Sequence, residues 1–272
     1  MSAQLNNLDF YLQQVRQQPQ FRLDASWGQG RTTFGGMSAA LILTRLQQQT
    51  PQAGQLRSLN IAFCGPLLTE QDCHIHSQEI RSGKSTSHWQ GQLLQDSKVT
   101  TLVNACFGQG RDSDIRVNPE PMEVLQPQDG KQLPYIAGLT PEFVQHIDFI
   151  YHQGQFPFTN SPLNHIRGLM RFADHPQQLG NEHLVALIDA WPPTVLQKLK
   201  APAPCASVTW SLELVNPIAQ LARPIGGDEY LYYEAEIRQA HDGYAHTEAR
   251  IATLDGTLLA LSRQLIAVYD KR

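Results

Sequence analysis

Glu79 to Phe107 reads EIRSGKSTSHWQGQLLQDSKVTTLVNACF, and Glu236 to Val268 reads EIRQAHDGYAHTEARIATLDGTLLALSRQLIAV. Both stretches open Glu-Ile-Arg and pass through a polar turn. Both then run along a strand, turn at an Asp (Asp96 or Asp255) and return along an apolar strand. A self-similar stretch of this length implies a duplicated fold unit, and its period is too long for a solenoid.

Working outward, each copy is preceded by a helix. Gly36 to Gln48 carries Met37, Ala40, Leu41, Leu43 and Leu46 at helical spacing and contains no acidic residue. The strands Leu56–Phe63, Cys73–Ile80, His88–Gln95 and Val99–Phe107 follow it. In the second half the helix starts at Asn181, and Ala206–Val215, Tyr230–Arg238, Ala245–Leu254 and Thr257–Tyr269 follow as strands. Further strands are expected at Phe21–Trp27, His146–Tyr151 and Ile166–Phe172, and a weak helix at 5–17. The fold class is α+β, with two fused helix-plus-antiparallel-sheet modules. The expected organisation is an N-terminal repeat over 1–110, a Pro-, Asp- and Gly-rich linker over 111–145, and a C-terminal repeat over 146–272.

A chain of 272 residues with 41% hydrophobic residues can bury a substantial core. The formal charge of −4 and the absence of a basic tract argue against a nucleic-acid partner. Cys64, Cys73, Cys106 and Cys205 form no CxxC pair and read as free thiols in a reducing compartment. The N-terminus lacks a basic start followed by an apolar core, and no apolar run approaches a membrane span. The expectation is a cytoplasmic protein with no membrane partner.

The stretch Asn181 to Leu199, NEHLVALIDAWPPTVLQKL, holds the residue that asks for a function. Asn181 can cap the helix, and Leu184, Val185, Leu187 and Ile188 form its apolar stripe. Asp189 follows one turn after Val185, at the edge of the face to be buried. Trp191 precedes Pro192-Pro193, which end the helix. A carboxylate in that position either caps a second short helix or does chemistry, because burying an unpaired charge is costly. On the next strand, alternation puts Ser207, Thr209 and Ser211 on one face and Val208, Trp210 and Leu212 on the other. On the last strand Ala260, Ser262, Gln264 and Ile266 share a face opposite Arg263. If Arg263 faces water, Gln264 faces the helix, where its amide needs a partner.

Specific motifs sharpen this reading. Arg31 to Gly36, RTTFGG, enters a small-residue helix, and LNIAFCGPL (59–67) ends a long strand at Pro66. The hairpin SQEIRSGKSTSHWQGQLLQDSKV (77–99) and the terminal LDGTLLALSRQ (254–264) complete an ordered set. This set resembles the acyl-CoA thioesterase II family across nearly the whole chain, most weakly over 108–165. The resemblance implies a double hotdog and hydrolysis of acyl-CoA to free acid and CoA, with no cofactor, metal or covalent intermediate. Carried over by position, its catalytic Asp, Thr/Ser and Gln fall on Asp189, Ser207 and Gln264. Ala105 stands opposite Gln264 in the first repeat, so only the second repeat would hold a complete site. The chain departs from the family pattern in SVTWSLELVNP (207–217), where Ser replaces Thr and the Asp-His that usually follows is missing. Thr209 is a rival for the hydroxyl role. Backbone N–H groups near Gly35-Gly36 or Asn181 could stabilise an oxyanion, and Trp191 could line the acyl site.

Other signals are weaker. Gly83-Lys84-Ser85 lacks the upstream Gly of a phosphate-binding loop and reads as a hairpin turn. His74 and His76 share a strand face without a third ligand. No GxSxG elbow occurs. A hotdog dehydratase would want a His beside the Asp, and His183 is six residues from Asp189, on another helix face. The alternative from a different class is a hotdog protein that binds acyl chains or acyl-CoA without hydrolysing them. Open sheet edges favour a homodimer or higher homo-oligomer.

Overall fold

The structure is a computed structural model that describes residues 5–50, 54–123 and 125–271. Its first half contains α1 (Leu8–Gln17), β1 (Gln20–Arg22), a minimal hairpin of β2 (Gly28–Gln29) and β3 (Thr32–Thr33), and α2 (Gly35–Gln49). Then come β4 (Gln55–Phe63), β5 (Asp72–Ser82), β6 (Thr86–Gln95) and β7 (Lys98–Gly108). The second half contains β8 (Lys131–Gln132), β9 (Ile147–Gln153), β10 (His165–Phe172) and α3 (Asn181–Ala190). It ends with β11 (Cys205–Leu214), β12 (Leu231–His241), β13 (Tyr244–Thr253) and β14 (Leu258–Val268).

The long strands form one 12-stranded sheet in the order β1-β5-β6-β7-β4-β11-β14-β13-β12-β10-β9-β8. The order 5-6-7-4 is mirrored as 11-14-13-12, so the two repeats meet at the antiparallel pair β4–β11. The duplication extends to the irregularities. β4 slips register against β7 between Leu56 and Ser58, and β11 slips against β14 between Ser207 and Thr209. β5 slips against β6 between Glu79 and Arg81, and β12 slips against β13 between Ile237 and Gln239. An extra residue at the same place in both copies bends the two halves of the sheet alike around their helices.

The helices occupy the concave side. α2 is buried from Gly36 through Thr44, as expected of a helix enclosed on all sides by the sheet, α1 and α3. Each fully buried aliphatic there, such as Leu41 or Ile42, contributes about 1.5–3 kcal/mol. Gly91 on β6 lets α2 approach, since a Cβ there would stand 2.3 Å from Ile42 Cγ2. α2 and α3 touch through Gly36, where a Cβ would stand 2.8 Å from the Ala186 carbonyl oxygen.

Several expectations are corrected. Phe21–Trp27 is not one strand: β1 ends at Arg22, and Asp24 caps a 3₁₀ turn over Ala25–Trp27 by accepting from the Ser26 N–H. Asn181 does not cap α3. Gly180 holds that position, and the His183 ring reaches back to accept the Gly180 N–H at 3.1 Å. His183 also contacts Asp9 at 3.1 Å, while Arg16 pairs with Glu182 at 2.7 Å, so α1 braces the start of α3.

The segment 111–145 is more than a tether. Met122 and Leu125 cover an apolar row of Ile150, Leu169, Tyr232 and Ala252 on the convex side. Phe143 stacks on Phe34 at 4.3 Å, tying the end of this segment to the first repeat. The sheet edges, β1 and β8, are three and two residues long. β1 covers only Asp72–His74 of β5, so among the described residues the outer edge of β5 from Ile75 to Ser82 carries no paired strand and stays open to pairing. Among the described residues, no helix is long and apolar enough to cross a membrane.

Candidate active site

Asp189 is the only residue of α3 that is not fully buried. Its Oδ1 accepts a hydrogen bond of 2.6 Å from Gln264 Nε2. The two meet because α3 ends over β14 and Gln264 projects from the concave face of that strand. The register shows the same: Gln264 pairs with buried Trp210 on β11 and buried Thr247 on β13, and cross-strand partners share a face.

The third wall comes from the other repeat. The start of α2 abuts the end of α3, and the Gly36 N–H faces the Asp189 carboxylate. A Cβ on Gly35 would stand 2.8 Å from Asp189 Oδ2 and 2.9 Å from Phe63 Cε1, so any side chain there must displace the carboxylate, the ring or both. The first amides of a helix have no intrahelical acceptor and carry its positive dipole end. Asn181 starts α3, eight residues before Asp189 and about 12 Å away along the axis, so of the two helix starts only Gly35-Gly36 reaches the carboxylate.

Burial pushes the Asp189 carboxyl up, while the Gln264 amide and the Gly36 N–H pull it down, with a net rise to about 7. The buried Tyr233 phenol is also raised, by its burial first and then by the negative charge of Asp189. Asp189 is therefore near neutrality, a range that suits a group able to take and give a proton.

The two hydroxyl candidates separate at the β11 bulge. Simple alternation groups Ser207 with Thr209, but the slip between them breaks it. Thr209 pairs with Leu265 and is exposed on the convex face. Ser207 pairs with Ile266, the buried neighbour two residues beyond Gln264, and is half-buried. Thr209 is thus separated from Asp189 and Gln264 by the sheet.

Trp191 is 4% exposed and packed among aromatics. It stacks on Tyr233 (4.9 Å, 6°), meets Phe149 edge-on at 5.3 Å, lies 4.9 Å from Tyr151, and donates from Nε1 to Met170 Sδ at 3.1 Å. It anchors the end of α3, two residues from Asp189.

Tyr233 and Thr247 carry no motif in the sequence and reach the site through sheet register within the second repeat, whereas Phe63, in the stretch LNIAFCGPL, comes from the first repeat. Gly83–Ser85 lies in the β5–β6 turn, His74 and His76 are exposed, and no cluster among the described residues could hold a metal ion.

Residues 23–108 match a family model described as acyl-CoA thioesterase N-terminal domain, and residues 125–268 match one described as acyl-CoA thioesterase C-terminal domain. No curated protein matches the chain. Among solved structures, the chain is similar to a hot dog protein of unknown function from Alicyclobacillus acidocaldarius, with 24% identity, 93% of each chain covered and a TM-score of 0.81. It is also similar to an acyl-CoA thioesterase II, TesB2, from Mycobacterium marinum, with 18% identity, 96% of this chain and 98% of that chain covered, and a TM-score of 0.71. At such identities the two structures establish the double hotdog fold alone. With matched domain models in the same order along both repeats, the chain belongs to the acyl-CoA thioesterase family.

Proposed function

We propose that the protein hydrolyses acyl-CoA thioesters to the free acid and CoA, at one site per chain built on Asp189, Gln264 and Ser207. The observation that carries this reading is the 2.6 Å Gln264–Asp189 contact at a carboxyl raised to about 7. Asp189 takes a proton from a water whose oxygen bonds to the thioester carbonyl carbon. Gln264 and the Ser207 hydroxyl orient that water, and the positive end of α2, whose Gly36 N–H faces Asp189, lies beside the developing oxyanion. Collapse of the tetrahedral species breaks the C–S bond, and the proton on Asp189 passes to the departing thiolate. A thioester is electrophilic enough for water to attack without a metal or covalent intermediate.

A second reading is a protein that binds acyl-CoA without turning it over. Ser207 favours it, since this hydroxyl stands beside Ile266 rather than Gln264. The test is thiol release from acyl-CoAs of graded chain length by the wild type, Asp189→Ala and Gln264→Ala. Loss of roughly a hundredfold in both variants, with folding intact, supports hydrolysis. Binding without thiol release from any substrate would decide for the second reading. We also propose a homo-oligomer, paired through an open sheet edge such as that of β5, which light scattering would check.

A further inference from the structure

We infer that Thr247 is an additional catalytic residue, whose hydroxyl holds the attacking water together with Asp189 and Gln264. This inference rests on the hydrolytic reading above. Thr247 projects from β13 on the concave face and is 4% exposed. Its register partner on β14 is Gln264 itself, which puts the two Cβ atoms about 4.5–5.5 Å apart. Ser207, by contrast, pairs with Ile266. The hydroxyl directly beside the Gln264 amide is therefore that of Thr247.

This hydroxyl has no hydrogen-bond partner among the described residues. A buried hydroxyl without a partner destabilises a fold, and Val would fill the same space on a strand without that cost. Within the sheet its polar neighbour is Gln264: Ile237 lies across on β12, and Ala245 and Ala249 flank it along β13. The first repeat supplies a control. There, Ala105 occupies the register position of Gln264, and its partner on β6 is Trp89. At this register position an amide faces a hydroxyl in the repeat that holds Asp189 and not in the other. Thr247 keeps its own proton throughout, since Asp189 takes the proton from water, and it serves by aiming a lone pair of that water at the carbonyl carbon.

The experiment compares kcat, KM and melting temperature for the wild type, Thr247→Val, Thr247→Ser and Asp189→Asn on whichever acyl-CoA the wild type cleaves fastest. The expected result for Thr247→Val is a ten- to hundredfold fall in kcat, KM within about twofold, and a melting temperature equal to or above that of the wild type. Thr247→Ser should recover most of the rate. Full kcat in Thr247→Val overturns the inference, as does a rise in KM alone, which would mark mere substrate contact. A Val variant that is less stable or does not fold, or a Ser variant as slow as Val, overturns it too, because the hydroxyl would then be structural. Asp189→Asn separates the two levels. If it is inactive while Thr247→Val is fully active, only this inference fails. If the wild type cleaves no acyl-CoA, the hydrolytic reading fails and takes this inference with it.

Discussion

Gly35 stands so close to Asp189 that a single methyl group would reach within 2.8 Å of the carboxylate Oδ2. The same methyl would also meet the Phe63 ring at 2.9 Å, so neither side is free to yield without disturbing the other. Gly35→Ala should therefore push Asp189 off Gln264. We expect kcat to fall at least tenfold, with a stability loss of about 1–3 kcal/mol from overpacking. Thiol-release kinetics and chemical denaturation of the same preparation check both numbers, and an unchanged kcat would mean that the carboxylate position is irrelevant to turnover.

The raised carboxyl of Asp189 fixes the pH dependence. As a general base it must be ionised, so kcat/KM should climb as pH rises toward about 7 and level off above it. A profile that falls over this range would exclude the base role.

Stability should move in the opposite direction. Asp189 titrates near 3.8 in the unfolded chain and near 7 in the fold, so between these values the native state binds the proton more tightly. Its contribution is full below about 4 and is lost as pH rises through about 7. Asp189→Asn removes the dependence. The variant should match the wild type near pH 4 and exceed it at pH 8 by about 1–3 kcal/mol, a range discounted for the solvent access that Asp189 retains. Melting curves at both pH values test this, and a constant offset would show that the carboxyl is not desolvated.

The bulge on β11 distinguishes its two hydroxyls. Ser207 lies on the concave side and Thr209 on the convex side. Ser207→Ala should slow thiol release by about tenfold, while Thr209→Ala should leave the rate unchanged and alter stability by no more than about 0.5 kcal/mol. The reverse pattern would show that the strand faces are exchanged.

That bulge also marks where the sequence stops being legible. The duplication, the strands of each repeat and the helix ending at Asp189 follow from periodicity and turn residues, because these are local. Gln264 facing Asp189 was readable because Arg263 demands solvent and forces its neighbour inward. Ser207 and Thr209 fall on opposite sides because one inserted residue resets an alternation that no local preference encodes. The His183 cap was hidden for a related reason, since Asn181 is the better cap by type and only α1, with Asp9 and Arg16, holds His183 and Glu182 in place. Contacts across the repeats, such as Gly36 with Asp189, depend on how two helices cross, and that is set by the whole core.

Trp191 tests whether the site is held from behind. Its ring is enclosed by Tyr233, Phe149, Tyr151 and Met170, and β10 makes room for it with Gly168, where a Cβ would stand 2.5 Å from the indole Cη2. Pro192 and Pro193 release the chain from the helix immediately afterwards, so the indole is the last fixed point of α3 before the break. Trp191→Ala should cost about 3–5 kcal/mol from the cavity, and Trp191→Phe about 1–3 kcal/mol. Because an anchor acts through Asp189, Trp191→Phe should lower kcat for all acyl chain lengths by a similar factor. A wall of the acyl site would behave differently, since removing part of the indole would favour longer or bulkier acyl groups over short ones. Comparing the chain-length profile of Trp191→Phe with that of the wild type separates the two, and a profile displaced toward longer chains would reassign Trp191 from anchoring the helix to contacting the substrate.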